Sequence, residues 1–280
     1  MSGPFSGLHY APPSGSHAFP QKLLGTYEKE LWPIVEEIVS RGYRLIVDIG
    51  AAEGYYVCGL ARRLPEAVVA AFEGQTDYHR VLSQMAKQNG LQERISVRGY
   101  CQAEDLAAVL AQDGSVLLIC DVEGAELELL DVDRTPQLRH VDILVEVHEH
   151  LRRGIRQQLF DRFRSTHAIQ PVPSVARTLA DLPPGVTLET ALALAAMEES
   201  RGDAIEWLWM TSQFPRSQDH HDEAVHQRTA RSVSEKSGHA PSRPAAPAKN
   251  DRNAQGYPAR SALLGAGHAL RRRAPRVIQP

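Results

Sequence analysis

The feature that most constrains this chain is a repeated alternation. Five short apolar runs, over Arg44–Ile49 (RLIVDI), Ala67–Phe72, Ile95–Tyr100, Ser115–Cys120 and Val141–Val147, are separated by segments whose apolar residues recur at helical spacing. Helices are predicted over 54–64, through Tyr78, Val81, Leu82 and Met85 as far as the Asn89-Gly90 terminator, over 103–111 and over 125–130. Runs such as VLLIC and ILVEV are nearly continuous in apolar residues, as strands covered on both faces are. Strands alternating with helices imply a parallel sheet wrapped on both sides.

The flanks extend this unit. Apolar periodicity between Pro20 and Arg41 predicts two short helices, with Pro33 in the first turn of the second. Past Arg152 the pattern gives a helix over Ile155–Phe163, a strand near His167–Val172, an Ala/Leu helix over about 188–199 and a last strand over Ala204–Thr211. Residues 1–19, rich in Gly, Pro and Ser, read as a flexible leader, and 20–214 as one domain with N-terminal helices. Residues 1–215 hold 19 Lys and Arg against 29 Asp and Glu, whereas residues 216–280 hold 12 against 5. The basic stretch 215–280 has too few apolar residues to offset its ordering entropy and is expected to be disordered. Its His220-His221 pair reads as solvated, and its Arg271–Arg273 run as a solubility feature with at most weak affinity for nucleic acid.

Several classes are excluded early. No apolar run approaches the roughly 18–20 residues of a membrane span. The first twenty residues lack the basic start and apolar stretch of a secretory signal. Cys58, Cys101 and Cys120 are odd in number and widely spaced, which fits neither a disulfide framework nor a zinc knot, so a reducing cytoplasm is expected.

In an open parallel sheet, ligands bind beyond the carboxyl ends of the strands. The first strand ends in Asp48-Ile-Gly50-Ala51-Ala52-Glu-Gly54. Gly50 permits a tight turn, and Gly54 is read as letting the backbone approach a ligand. The spacing G-x-x-x-G, with acids on both sides, is a poor cradle for a pyrophosphate and suits an ammonium-bearing ligand better. Glu73 closes the second strand, where an acid can accept both hydroxyls of a ribose. Gln102, after the third strand, can both donate to and accept from an adenine edge. Asp121 and Glu123 follow the fourth strand and Glu146 and His148 the fifth, a dense acid/base group expected to converge on one rim. Such a set can also bind a divalent metal that pairs with substrate hydroxyls, although the residues do not demand one.

With these residues in place, DIGAAEG, the downstream FEG, ICDVEGAELELL and ILVEVHE resemble the FkbM type of class I S-adenosylmethionine-dependent methyltransferase over residues 23–213. The resemblance implies a Rossmann-like, doubly wound seven-stranded sheet, mostly parallel with an antiparallel last strand. It also implies methyl transfer to a hydroxyl of a sugar, polyketide or other small molecule. Carried over by residue, Asp48, Gly50, Ala51 and Gly54 would hold the methionine half of the cofactor and Glu73 the ribose. Gln102 and Ala103 would meet the adenine, and Asp121 would lie beside the reacting methyl. The chain departs from the pattern in having Gln102 where many relatives have Asp, and Ala52 where the loop's middle glycine stands. It also lacks the Asp/Asn-Pro-Pro-Tyr/Phe tetrapeptide of amino-methylating relatives, which argues against nucleobase amines as acceptors. His148 is expected as proton acceptor, oriented by Glu146, with Asp121 as the competing base. The competing functions are a nicotinamide-dependent oxidoreductase on a similar sheet and a cofactor-binding protein without turnover.

Overall fold

The computed structural model describes residues 1–10, 18–112, 114–199 and 205–214. The expectations for residues 215–280, including His220, His221 and Arg271–Arg273, lie outside them. In chain order the elements are α1 (Phe19–Leu24), α2 (Trp32–Arg41), β1 (Leu45–Ile49), α3 (Tyr55–Arg63), β2 (Val68–Phe72), α4 (Thr76–Gln88) and β3 (Ile95–Arg98). These are followed by α5 (Ala103–Leu110), β4 (Val116–Cys120), α6 (Glu126–Leu129), β5 (Asp142–His148), α7 (Ile155–Phe163), β6 (His167–Pro173), α8 (Thr190–Met197) and β7 (Ile205–Ser212). Pro33 falls in the first turn of α2, where its missing N–H costs no hydrogen bond. β3 stops two residues short of the predicted end, because Gly99 and Tyr100 already belong to the turn.

The seven strands lie in the order β3-β2-β1-β4-β5-β7-β6. β1 pairs in parallel with both β2 and β4, and β4 with β5, while β7 runs antiparallel between β5 and β6. This is the mostly parallel sheet with an antiparallel last strand that the sequence predicts. The order reverses at β1, so the crevice beyond β1 and β4 is a natural ligand position.

Strand periodicity divides the core into two layers. On one face Ile46, Val69, Leu117, Leu144, Trp207 and Trp209 pack beneath α2, α3 and α4. On the other Val47, Phe72, Leu118, Val145, Leu208 and Met210 pack beneath α5, α6 and α7. Asp48, two residues after Ile46, and Glu146 and His148, two and four after Leu144, share the first face, so three ionisable groups emerge at its carboxyl end. Trp207 and Trp209, alternate residues of β7, are both core residues.

Residues 1–10 correct the expectation of a loose leader. Phe5, Leu8 and Tyr10 are buried, and Phe5 lies edge-on to Tyr55 with ring centroids 5.0 Å apart. The space comes from Gly59 of α3, where an added Cβ would stand 2.4 Å from the Phe5 ring. The Gly, Pro and Ser content concealed this, because four apolar residues spread over ten positions make no periodic pattern. Phe5→Ala is therefore expected to lower unfolding free energy by about 3–5 kcal/mol, the ordinary cost of emptying a buried phenylalanine site. Denaturant titration checks this, and a loss below about 1 kcal/mol would return the segment to the status of a leader.

Candidate functional site

A cavity of about 400 Å³ opens beyond β1, β2 and β4. It is built around a contact that only glycine allows. Gly50 has φ +89°, and a Cβ there would stand 1.7 Å from the Asp121 backbone oxygen. The loop after β1 is thereby pressed against the end of β4. The N–H groups of Gly50 and Ala51 both donate to the Phe72 carbonyl, at 2.9 and 3.0 Å, and are not free for a ligand. Gly54 serves a different purpose from the one predicted. Its Cα faces Leu82, 2.9 Å from where a Cβ would stand, so it admits α4 rather than a ligand.

Glu73 ties two loops together. One carboxylate oxygen accepts the Ala52 N–H at 2.9 Å and the other the Gln75 N–H at 2.6 Å. Each oxygen keeps a second lone-pair direction, so a diol can still be met by this fixed side chain. Glu73 lines the cavity, as do Gly50 and Asp121. Gln102 is placed otherwise: it is exposed, caps α5 and accepts the Asp105 backbone N–H while Asp105 returns the bond. Ala103 is buried in the first turn of α5, and neither it nor Gln102 is among the cavity's lining residues. Tyr100 and Cys101 line that edge instead.

Asp48 is buried under the loop. Desolvation, then repulsion from Asp121, Glu73 and Glu53, pushes its pKa from 3.8 to about 8. Asp121 is raised to about 6, first by burial and further by Glu28 and Glu123, while Glu146 and His148 pull it down. Glu53 shows the reverse outcome. Burial works against its charge, but Lys22 and the Tyr10 hydroxyl hold its pKa below the usual carboxylate value.

The predicted rim group does converge. His148 Nε2 lies 3.5 Å from Asp121, 3.4 Å from Glu123 and 3.5 Å from Glu146. Ligand atoms of Asp121, Glu146 and His148 all fall within 4.8 Å of one another, so the three could hold a divalent cation. The orienting partner of the imidazole is not the one predicted. Nδ1 lies 2.6 Å from Glu126 Oε1, and Glu126 is fully buried, whereas Glu146 faces the other nitrogen. Burial alone would lower the His148 pKa, yet the Glu126 hydrogen bond and the charges of Asp121 and Glu123 leave it above 6.5. Glu126 is itself held below the usual value by His148 and the Gly124 N–H. Its signal was available, since it is the last acid of DVEGAE, but an acid in the first turn of a helix reads first as a partner of the helix dipole.

Sequence reasoning also missed Lys22 and Arg177, and it placed Glu28 with Tyr27 on the N-terminal elements that would shape the pocket without giving it a role, since all of these stand in no pattern. Glu28 is buried with φ +46°, accepts the Tyr56 hydroxyl and donates its own N–H to Glu199 at 3.1 Å. Arg177 locks this corner. It donates to the Thr26 carbonyl at 2.9 Å, pairs with Glu30 at 2.9 Å and pairs with Glu199. The segment between β6 and β7 is thus clasped to the N-terminal helices, and Glu28 is held where its charge acts on Asp121.

The strand order, the reversal at β1 and the cavity at that point decide the architecture. It is the Rossmann-like fold of class I methyltransferases. Among solved structures, the chain is similar to a Klebsiella pneumoniae protein described as an O-methyltransferase, at 13% identity and TM-score 0.45, over 71% of this chain and 84% of that one. It is similar to the O-methyltransferase TomG of Streptomyces achromogenes, solved with S-adenosylmethionine, at 15% identity and TM-score 0.44, over 68% and 79%. It is also similar to a Bacillus cereus O-methyltransferase solved with S-adenosylhomocysteine, at 14% identity and TM-score 0.43, over 63% and 78%. No protein-family model matches the sequence, and no curated protein matches it. Among the described residues, no helix is long and apolar enough to cross a membrane.

The buried acids make stability depend on pH. Asp48 binds its proton more tightly folded than unfolded, so its contribution is fully present below about pH 3.8 and is lost as pH rises toward about 8. Asp48→Asn keeps the neutral shape and removes that loss. Its melting temperature relative to the parent is expected to rise between about pH 5 and about pH 9, as read by calorimetry without ligand. A constant difference across that range would show Asp48 to be ionised throughout.

Proposed function

We propose that this chain is an S-adenosylmethionine-dependent O-methyltransferase of the FkbM type acting on a hydroxyl of a sugar, polyketide or other small molecule. The observation that carries the reading is the union, in one cavity, of the Gly50–Asp121 contact, the fixed Glu73 and the carboxylates of Asp121 and Glu123, with the buried His148 3.5 and 3.4 Å behind those two. The donor set fits the cofactor. Carboxylates of Glu53, Glu73 and Asp121 with the ammonium of Lys22 suit a zwitterionic ligand that carries a diol and a positive sulfur. The same set repels a pyrophosphate, which counts against the nicotinamide alternative. The motifs DIGAAEG, FEG, DVEGAE and VEVHE support the family.

When bound, S-adenosylmethionine supplies a methyl group on an electron-poor sulfonium. The chain's own residues have three tasks. Asp48, Gly50, Ala51 and Gly54 shape the loop that would receive the amino-acid end, Gly54 indirectly through α4 packing, and Glu73 would accept the ribose hydroxyls. Tyr100 and Cys101 line the edge left for the adenine, with Gln102 and Ala103 supporting it from the start of α5. At the rim an acceptor hydroxyl needs a base: His148, oriented through Nδ1 by Glu126, would take its proton at Nε2. That requires neutral His148, so turnover falls as pH drops through a pKa above 6.5. Asp121, titrating near 6, is the alternative base, and Glu123 and Glu146 tune both.

Calorimetry separates the cofactor readings: saturable binding of S-adenosylhomocysteine and none of NAD is expected. Glu73→Ala should weaken S-adenosylhomocysteine by about 1.5–3 kcal/mol, the value of a charge-assisted hydrogen bond. Unchanged affinity in that variant would remove Glu73 from the site.

Once an acceptor is found, His148→Gln should keep cofactor affinity, lose about 10²–10⁴-fold in turnover and lose the acidic limb of the pH profile. Normal turnover in His148→Gln with loss in Asp121→Asn would move the role to Asp121. Rescue of either variant only by added magnesium or manganese would assign the group to an ion.

A further inference from the structure

We infer that Lys22 is the carboxylate-binding residue of the cavity and makes the site selective for a ligand whose end carries both an ammonium and a carboxylate. This rests on the cofactor reading above and goes further, because it assigns a recognition role to a residue of α1, outside every motif.

The geometry is unusual for a lysine. Lys22 is only 5% exposed, yet it lines the cavity. α1 brings it there, ending at Gly25 with φ +76°. Its ammonium bonds Glu53 and lies 4.6 Å from the Tyr27 ring centroid and 5.7 Å from that of Tyr55, so its position is fixed from three sides. A lysine ammonium has three N–H donors, and Glu53 takes one. Glu53 has a second partner of its own, the Tyr10 hydroxyl at 2.7 Å.

Charge makes the case sharper. Among the described residues lining the cavity, Glu53, Glu73, Asp121 and Glu123 are acidic, and Lys22 is the cationic side chain opposing them. A ligand with an ammonium alone would be satisfied by the acids and would be repelled by Lys22. A ligand with a carboxylate alone would meet four like charges. An amino-acid end matches both signs, its ammonium toward the carboxylates and its carboxylate toward Lys22. Lys22 is next to Glu53, which follows Ala52 in the β1 loop, the part of the site expected to take that end.

The test compares ligands that differ at one group, on the full chain, by calorimetry. S-adenosylhomocysteine carries amine and carboxylate, whereas S-adenosyl-3-thiopropylamine keeps the amine and lacks the carboxylate. Lys22→Met is expected to weaken S-adenosylhomocysteine by about 10–100-fold and to leave the decarboxylated ligand unchanged or tighter. Lys22→Arg, which keeps the charge, should recover part of the loss. Equal weakening of both ligands in Lys22→Met would overturn the inference and reduce Lys22 to a partner of Glu53 that holds the loop. Equal binding of both ligands by the parent protein would overturn it as well, since no carboxylate contact would then exist. Failure of the parent to bind either ligand would instead sink the cofactor reading, a result distinct from the other two.

Discussion

The site depends on one steric constraint, the approach of the β1 loop to the end of β4 through Gly50. A side chain at that position would overlap the Asp121 carbonyl, so the two strand ends meet only because no Cβ is present. The contact sets the rest of the loop. It carries Ala52 to within hydrogen-bonding distance of Glu73, which fixes the end of β2, and it brings Asp48 and Asp121 close enough to repel. Three neighbouring strands therefore deliver their terminal acids to one volume. Sheet geometry alone aligns strand ends, but this packed turn gives the cavity its floor.

The consequence is electrostatic. A protein interior accepts ionised carboxylates only where something compensates them. Here compensation is local and uneven. Glu53 has Lys22 and Tyr10, Glu126 has His148, and Glu73 has two backbone N–H groups. Asp48 lacks comparable support, and its pKa rises accordingly. The rim around His148 is an extreme version, with Asp121, Glu123, Glu126 and Glu146 about one imidazole. Acidic charge is thus concentrated where the strand ends meet, with a single imidazole in its midst.

The N-terminal segments add Lys22 and Tyr27 to the cavity wall, and the insertion before β7 is tied to them from outside it. Phe5, Leu8 and Tyr10 pack on α3, α1 delivers Lys22, and Arg177 clasps the insertion to the helix start near Glu28. None of these contacts belongs to the repeating strand–helix unit, and of the segments involved only α1 and the turn after it, through Lys22 and Tyr27, reach the cavity.

The alternation of apolar strands with amphipathic helices determined the layered sheet, and the acids and glycines closing each strand pointed to the end at which the cavity opens. Both are local properties, written in side-chain periodicity and in residues that must follow a strand directly. Asp48, Glu73, Asp121, Glu146 and His148 were legible for that reason. What partners each of them was not. Gly54 and Gln102 looked like ligand contacts and serve helix packing and helix capping, because a backbone position open to a ligand and one open to a neighbouring helix make the same demand on sequence. Glu126 in place of Glu146 at His148 Nδ1, and Lys22 beside Glu53, were decided by how distant segments pack. A single charged residue carries no periodicity to announce its partner, so only the tertiary structure could choose one.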